Sequence, residues 1–128
     1  MVFIDKETND LSYKIIGCAY NVHKELGPGL LESAYKTCLC YELSKIEINY
    51  EKQKGLPIIY KDVTLDCGYR IDILVENKIV IELKTVEKLL PIHTAQIMTY
   101  LKLSNKHLGL LFNFYNANLQ NGIKRYVL

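Results

Sequence analysis

The 128-residue sequence lacks long apolar runs, repeats, low-complexity tracts and a strong charge bias. No apolar segment reaches the roughly 20 residues that span a bilayer. The N-terminal segment MVFIDKETND alternates apolar and charged residues, unlike a secretory signal. We therefore expect one domain over residues 1–128, in the cytoplasm and without membrane association. The formal net charge is only +2, so any attraction for nucleic acid must come from a local patch.

Disulfides are not expected either, although the sequence contains four cysteines. A chain with 49% hydrophobic residues can bury an ordinary core without cross-links. Cys38 and Cys40 are separated by one residue in a helical pattern, unlike the paired ligands of a zinc knuckle. We predict reduced thiols and expect all four to be buried as small hydrophobic side chains: Cys18, Cys38, Cys40 and Cys67.

Apolar residues spaced three and four apart predict two helices at the start of the chain. The first is expected to begin after a cap at Asn9 or Asp10 and to stop at residues 27–29, Gly-Pro-Gly. The second is expected from Leu31 to about Ile46. Two consecutive helices joined by a short turn predict an αα-hairpin.

From Tyr50 onward, short runs of β-branched and aromatic residues predict strands. The expected elements are strands at 50–60 (interrupted at 55–57), 63–75 and 79–85, a helix at 91–104, and strands at 108–114 and 123–128. The predicted order is therefore ααβββαββ, an α/β fold.

The segment from Tyr69 to Lys84 predicts a β-hairpin that turns at residues 76–78. Side chains alternate across a strand, so one face is wholly apolar and is expected in the core: Ile71, Ile73, Val75, Ile79, Ile81 and Leu83. The other face carries Arg70, Asp72, Glu82 and Lys84. A hairpin centred on Asn77 sets Asp72 opposite Glu82, and two unpaired carboxylates this close would repel each other. We therefore expect a positive group between them.

A divalent cation satisfies two converging carboxylates better than one lysine does, which indicates a hard ion such as Mg²⁺ or Mn²⁺. Its expected ligands are Asp72, Glu82, the backbone carbonyl of Leu83, and water. Lys84 would orient or deprotonate the attacking water and offset charge on a phosphate. The alternative is a salt-bridged sheet face, in which Lys84 pairs with a carboxylate and no metal is bound.

Asp72 followed by Glu82-Leu83-Lys84 resembles the motif of the PD-(D/E)XK nuclease superfamily. Residues 29–35, GLLESAY, are similar to the motif of the GxxExxY proteins, a branch of that superfamily. The resemblance implies a restriction-endonuclease-like αβββαβ core, with a mixed sheet flanked by helices and preceded by the αα-hairpin. It also implies that a helical glutamate, Glu32, joins the metal site. Glu32 shares a helical stripe with Tyr35 and Leu39, so we expect it to be buried; a capping role at the helix start is the alternative.

Gln96 and Tyr100 resemble the Gln-x-x-x-Tyr pair of the exonuclease-like branches. The resemblance implies that Gln96 holds Lys84 or a phosphate and that Tyr100 lines the substrate groove; a place at the edge of the core is an equal alternative for Tyr100. Arg70 is a further candidate for substrate binding. Five scattered lysines could contact phosphates but are expected to be solvated surface residues: Lys14, Lys24, Lys36, Lys88 and Lys102.

These residues predict a metal-dependent nuclease that hydrolyses phosphodiester bonds in DNA, with RNA as the second choice of substrate. The alternative is a binding module for nucleic acid or a protein partner that has the fold but little or no activity. A structural role, or hydrolysis of another phosphodiester, ranks last. Either of the first two functions is compatible with a homodimer or a protein partner.

Overall fold

The computed structural model describes residues 3–128, and that part of the chain contains three α-helices and seven strands. Residues 1 and 2, which open the segment predicted to be non-secretory, lie outside it. No helix of the described part is both long and apolar enough to cross a bilayer. The elements are α1 (Lys6–Leu26), α2 (Glu32–Lys45), β1 (Tyr50–Gly55), β2 (Ile58–Tyr60), β3 (Val63–Leu65), β4 (Arg70–Val75), β5 (Ile79–Lys84), α3 (Pro91–Ser104), β6 (Leu108–Asn113), a short 3-10 helix (Leu119–Gly122) and β7 (Ile123–Val127).

Five strands form one mixed sheet in the order β1-β4-β5-β6-β7, and β2 and β3 pair in a separate small sheet. Strands β5 and β6 are parallel, and α3 connects them. The other neighbours in the large sheet are antiparallel. A mixed sheet flanked by helices, after an opening helical hairpin, confirms the predicted fold class.

The start of α1 was predicted incorrectly, whereas α2 and α3 lie close to their expected bounds. Helix α1 begins at Lys6 because the Asp5 carboxylate accepts a hydrogen bond from the Thr8 N–H at 2.7 Å. Asp5 thereby satisfies a backbone donor that the helix leaves free. The polar Asn9 and Asp10 lie inside the first turns instead of capping them.

The strand predicted over residues 63–75 is two strands, β3 and β4. A turn separates them, in which the Asp66 carboxylate accepts from the Gly68 N–H at 3.0 Å and Gly68 has a φ of 81°. Glycine adopts this left-handed conformation without steric cost. The small β2–β3 sheet is therefore independent of the strand that carries Asp72.

All four cysteines are free thiols, but they are not all buried. Cys18 and Cys40 lie in the core, and burial raises the pKa of both thiols. Cys38 is half-buried, and Cys67 is exposed in the turn between β3 and β4. The expectation of burial is therefore confirmed for two cysteines, is only partly met for Cys38, and is wrong for Cys67.

The three central strands of the large sheet, β4, β5 and β6, are buried on both faces, whereas the edge strands β1 and β7 are largely exposed. The α1–α2 hairpin covers one face, where it packs on Ile73, Val75, Ile79, Ile81 and Leu83 of the central hairpin. Helix α3 covers the other face through Ile97, Tyr100 and Leu101, which pack on Leu74, Val80 and Leu111. A Cβ atom at Gly109 would lie 3.0 Å from Ile97, so this glycine lets α3 approach β6 closely. That approach fixes the position of the α3 side chains over the sheet.

One irregular pair interrupts the β1–β4 ladder. Lys52 pairs with Ile73 and Lys54 with Ile71, but the intervening Gln53 and Asp72 are not paired. Gln53 has a φ of 51°, which is unusual for a residue within a strand. On the far side of this irregular pair, Ile71 packs with the side chains of α3 and of the sheet face that α3 covers. The prediction that Ile71 shares the face of Ile73 is therefore wrong, because alternation holds only while the strand is regular.

The left-handed backbone conformation of Gln53 can be tested by substitution of this residue. The left-handed conformation costs a residue with a Cβ atom about 1–2 kcal/mol, and a β-branched residue adopts it least readily. We expect Gln53→Val to lower the free energy of unfolding by about 1–2 kcal/mol and Gln53→Gly to change it by less than about 1 kcal/mol. Urea denaturation of both variants measures this difference. Equal stability of the Val and Gly variants would contradict it.

Candidate active site

The site lies where the β4–β5 hairpin stops pairing. Glu76 and Asn77, with φ of 51° and 54°, turn the chain as predicted. Pairing then continues outward as far as Ile73 opposite Ile81, in a register centred on Asn77. The regular ladder ends there, one step before Asp72 and Glu82. The expected register is confirmed, and the two acidic residues lie at the open end of the hairpin.

Side chains replace the missing backbone hydrogen bonds at this end. Glu82 Oε2 accepts from the Asp72 N–H at 2.9 Å, and Asp72 Oδ2 accepts from the Leu83 N–H at 2.9 Å. Each carboxylate therefore reaches across to the other strand, so the two groups lie side by side. These bonds use one oxygen of each group and leave Asp72 Oδ1 and Glu82 Oε1 for another partner.

The position of Glu82 makes its negative charge costly. Glu82 is buried, with 4% of its surface exposed. Burial, followed by the charge of Asp72, raises the pKa of Glu82 to about 8, although the Asp72 N–H and the Lys84 charge oppose the increase. A bound cation would offset this cost by favouring the ionised form of Glu82.

Lys84 is held from the α3 side. Its Nζ donates to Gln96 Oε1 at 2.9 Å, and Gln96 Nε2 donates to the Tyr100 hydroxyl at 3.2 Å. Tyr100 is 7% exposed, and its burial raises the pKa of its hydroxyl. Tyr100 thus packs in the core and also orients Gln96. Within residues 3–128 Lys84 forms no ion pair with either carboxylate, so the predicted alternative of a salt-bridged sheet face does not describe this lysine.

The sequence did not predict that Lys36, on α2, lies next to Asp72. Its Nζ lies 3.7 Å from Asp72 Oδ1, and only 16% of its side chain is exposed. The expectation of a solvated surface lysine is therefore wrong here. One signal could have identified it: Lys36 follows Glu32 of the GLLESAY motif by four residues, so both lie on one helical stripe.

Glu32 was expected to be buried, but it is exposed at the first position of α2. A negative charge is favourable there, next to the positive end of the helix dipole. No group of three or more Asp, Glu, His or Cys side chains close enough to hold a metal occurs among residues 3–128. The structure thus brings together Asp72 and Glu82 without Glu32. The proposed metal role of Glu32 stays a prediction.

Tyr35 explains the loop before α2. Its buried hydroxyl donates to the Gly27 carbonyl and accepts from the Leu30 N–H, and its ring stacks on Phe114 at 4.4 Å. Tyr35 is thus a core residue with a tethered hydroxyl. It fixes the start of α2, and hence the helix that presents Lys36 to Asp72.

The donor set at the hairpin end fits a hard divalent cation. Asp72 and Glu82 each offer one carboxylate oxygen. The Leu83 N–H donates to Asp72, and the N–H and C=O of one residue in an extended strand point to the same side, so we expect the Leu83 carbonyl on the side of Asp72. Mg²⁺ commonly binds one or two carboxylates and keeps several waters. The two carboxylates at the hairpin end match the number by which Mg²⁺ is commonly bound.

Arg70 does not join this cluster. Its Nη1 donates to the Tyr69 carbonyl at 2.8 Å and lies 3.6 Å from the Asp66 carboxylate. The side chain is exposed at the beginning of β4, two residues before Asp72. Its role as a substrate contact stays a prediction.

Comparison with known proteins gives one match. A family model described as the PD-(D/E)XK nuclease superfamily matches residues 9–126, a range that includes every site residue discussed above. No curated protein and no solved structure gives a match. The description of this family model names no branch of the superfamily, so membership of the GxxExxY branch stays a prediction.

Proposed function

Because the chain belongs to the PD-(D/E)XK nuclease superfamily, we propose that it is a metal-dependent nuclease that hydrolyses phosphodiester bonds in DNA, with RNA as the second choice. The observation that supports this most is the reciprocal Asp72–Glu82 pair at the open end of β4 and β5. A buried carboxylate beside a second one is costly to keep for stability alone and is typical of functional sites.

Asp72, Glu82 and the Leu83 carbonyl would hold Mg²⁺ or Mn²⁺, and Glu32 is the further ligand that the family resemblance implies. When bound, the metal would supply Lewis-acid activation of water and neutralise charge on the phosphate. Glu82 would bind the cation in its ionised form, so its raised pKa makes metal binding favoured by rising pH.

Lys84 would act on the attacking water and on the charge that develops at the phosphate. Gln96 is its positioning residue, because the 2.9 Å hydrogen bond fixes the direction of the Lys84 ammonium. Tyr100 in turn orients Gln96 and would line the substrate groove, and Arg70 would bind the substrate backbone nearby. The working parts would thus be two carboxylates for the cation and one oriented lysine for the reaction.

A second candidate function is a nucleic-acid- or partner-binding module with little or no turnover. It is favoured by one observation, that Glu32 is exposed and the described residues contain no three-carboxylate cluster. A homodimer or a protein partner would then complete the function. Binding of an oligonucleotide without any metal-dependent cleavage would support this candidate over the nuclease.

The deciding experiment is cleavage of labelled DNA and RNA by the metal-free protein, before and after adding Mg²⁺ or Mn²⁺. We expect no cleavage in EDTA, and cleavage of DNA once a metal is added. The Asp72→Asn variant, purified in the same way, is the control, because any activity that survives in it comes from a contaminating nuclease. Failure of both metals to support cleavage of either polymer would reject the nuclease proposal.

A further inference from the structure

The positive charge of Lys36 has no role in the nuclease reaction proposed above. Its side chain is mostly buried, and within the described residues its ion-pair partner is Asp72 alone. A buried ammonium is costly when it has no partner. Asp72 is also the residue that would bind the metal, so Lys36 and a cation require the same carboxylate.

The balance of charge in the site changes when a cation binds. Once both carboxylates are ionised, Asp72 and Glu82 balance Lys36 and Lys84. A bound divalent cation would leave two positive charges in excess. A phosphodiester attacked by hydroxide carries two negative charges at its transition state, so this excess matches the reacting phosphate.

We infer that Lys36 is a phosphate-binding residue that exchanges partners, neutralising Asp72 before the cation binds and contacting the substrate phosphate afterwards. This inference rests on the proposed nuclease function. It extends that function by placing lysines on both sides of the phosphate, Lys84 from the α3 side and Lys36 from the α2 side.

The geometry allows such an exchange. The 3.7 Å separation from Asp72 Oδ1 exceeds the roughly 2.7–2.9 Å of a strong charge-assisted hydrogen bond, so Lys36 is held loosely. The lysine stem is a flexible four-carbon chain, whereas the helix beneath it is anchored by the buried Tyr35, Leu39 and Leu43. The ammonium can therefore move while its helix stays in place.

A lysine that only stabilised the fold would behave differently from one that exchanges partners. With exchange, Lys36 competes with the cation for Asp72, so its removal should strengthen metal binding and weaken phosphate binding. With a purely structural role, its removal would weaken metal binding or leave it unchanged, and would not affect phosphate binding. The two measurements should therefore move in opposite directions only if the inference is correct.

The test uses the full chain with Lys36→Met. Isothermal titration with Mn²⁺ alone should show binding roughly 5-fold tighter than in wild type. Fluorescence anisotropy with a labelled DNA oligonucleotide and saturating Mn²⁺, in a Lys84→Met background that slows cleavage, should show affinity reduced roughly 10-fold. The slope of log affinity against log salt should fall by about one. Lys36→Arg should restore most of the oligonucleotide affinity.

Lys102→Met is the matched control, because this lysine of α3 is exposed and, among the described residues, forms no ion pair with either carboxylate; it should leave Mn²⁺ affinity unchanged. If Lys36→Met does not fold, Lys36→Gln removes the charge and keeps a donor. Unchanged or weaker Mn²⁺ binding in the charge-removing variant would overturn the inference, even if wild type cleaves DNA. Tighter Mn²⁺ binding in a protein that binds oligonucleotide without cleaving it would reject the nuclease function and keep the role of Lys36.

Discussion

Replacing Lys84 by methionine is expected to lower the rate of metal-dependent cleavage about 10²- to 10⁴-fold. The ammonium is oriented by Gln96 at 2.9 Å, so its removal takes away a preorganised positive group near the reacting phosphate. Methionine keeps much of the length of the stem, and Lys84 makes no ion pair with the carboxylates within the described residues. We therefore expect Mn²⁺ affinity to change by no more than a few fold.

Single-turnover cleavage and Mn²⁺ titration of the same preparation measure the two expectations separately. Gln96→Met is the matched variant, because it keeps the lysine and removes only the group that orients it. Its rate should fall between those of wild type and Lys84→Met. If Lys84→Met cleaves as fast as wild type, the role assigned to Lys84 is wrong.

The second large effect concerns Glu82 and pH. Because burial and the charge of Asp72 raise its pKa from 4.5 to about 8, ionisation of Glu82 destabilises the metal-free protein. Below about pH 4.5 Glu82 is protonated in both the folded and the unfolded chain and costs no stability. As pH rises from about 4.5 toward 8, the free energy of unfolding falls by up to about 1.4 kcal/mol per pH unit. Glu82→Gln should remove that loss, since an amide does not ionise and its oxygen can still accept from the Asp72 N–H.

We therefore expect Glu82→Gln in EDTA to be more stable than wild type at pH 8, by roughly 2–4 kcal/mol, and similar to it at pH 5. Urea denaturation at the two pH values measures this difference. Added Mn²⁺ should stabilise wild type and have little effect on the variant, which lacks one ligand. Parallel changes of stability with pH in the two proteins would show that Glu82 is not the group responsible.

The β4–β5 hairpin could be predicted because the residues that specify it are close together in the sequence. Alternation along a strand and a turn at residues 76–78 are properties of neighbouring residues, and they placed Asp72 beside Glu82 correctly. Local alternation could not predict that pairing would stop at Ile73 and Ile81. That depends on the two carboxylates, which bond the backbone of the opposite strand in place of the ladder.

For α2, in contrast, local sequence did not predict which side chain reaches the site. The motif drew attention to Glu32, which is exposed, while Lys36 one turn later contacts Asp72. Helical spacing places both residues on one stripe, but the angle at which the helix crosses the sheet decides which of them reaches the strand. That angle depends on packing of Tyr35 and other buried residues against distant strands, which no local pattern contains.

Local sequence was enough to predict the three helices, most of the strands and the turn of the β4–β5 hairpin, because periodicity and turn signals act over a few residues. The contact of Gln96 with Lys84 was indicated by the family motif. Three features came from tertiary packing: the raised pKa of Glu82, the contact of Lys36 with Asp72 and the exposure of Glu32. Each of these depends on how deeply a group is buried and which distant charge faces it. Burial and distant charges arise only when segments far apart in the chain pack together.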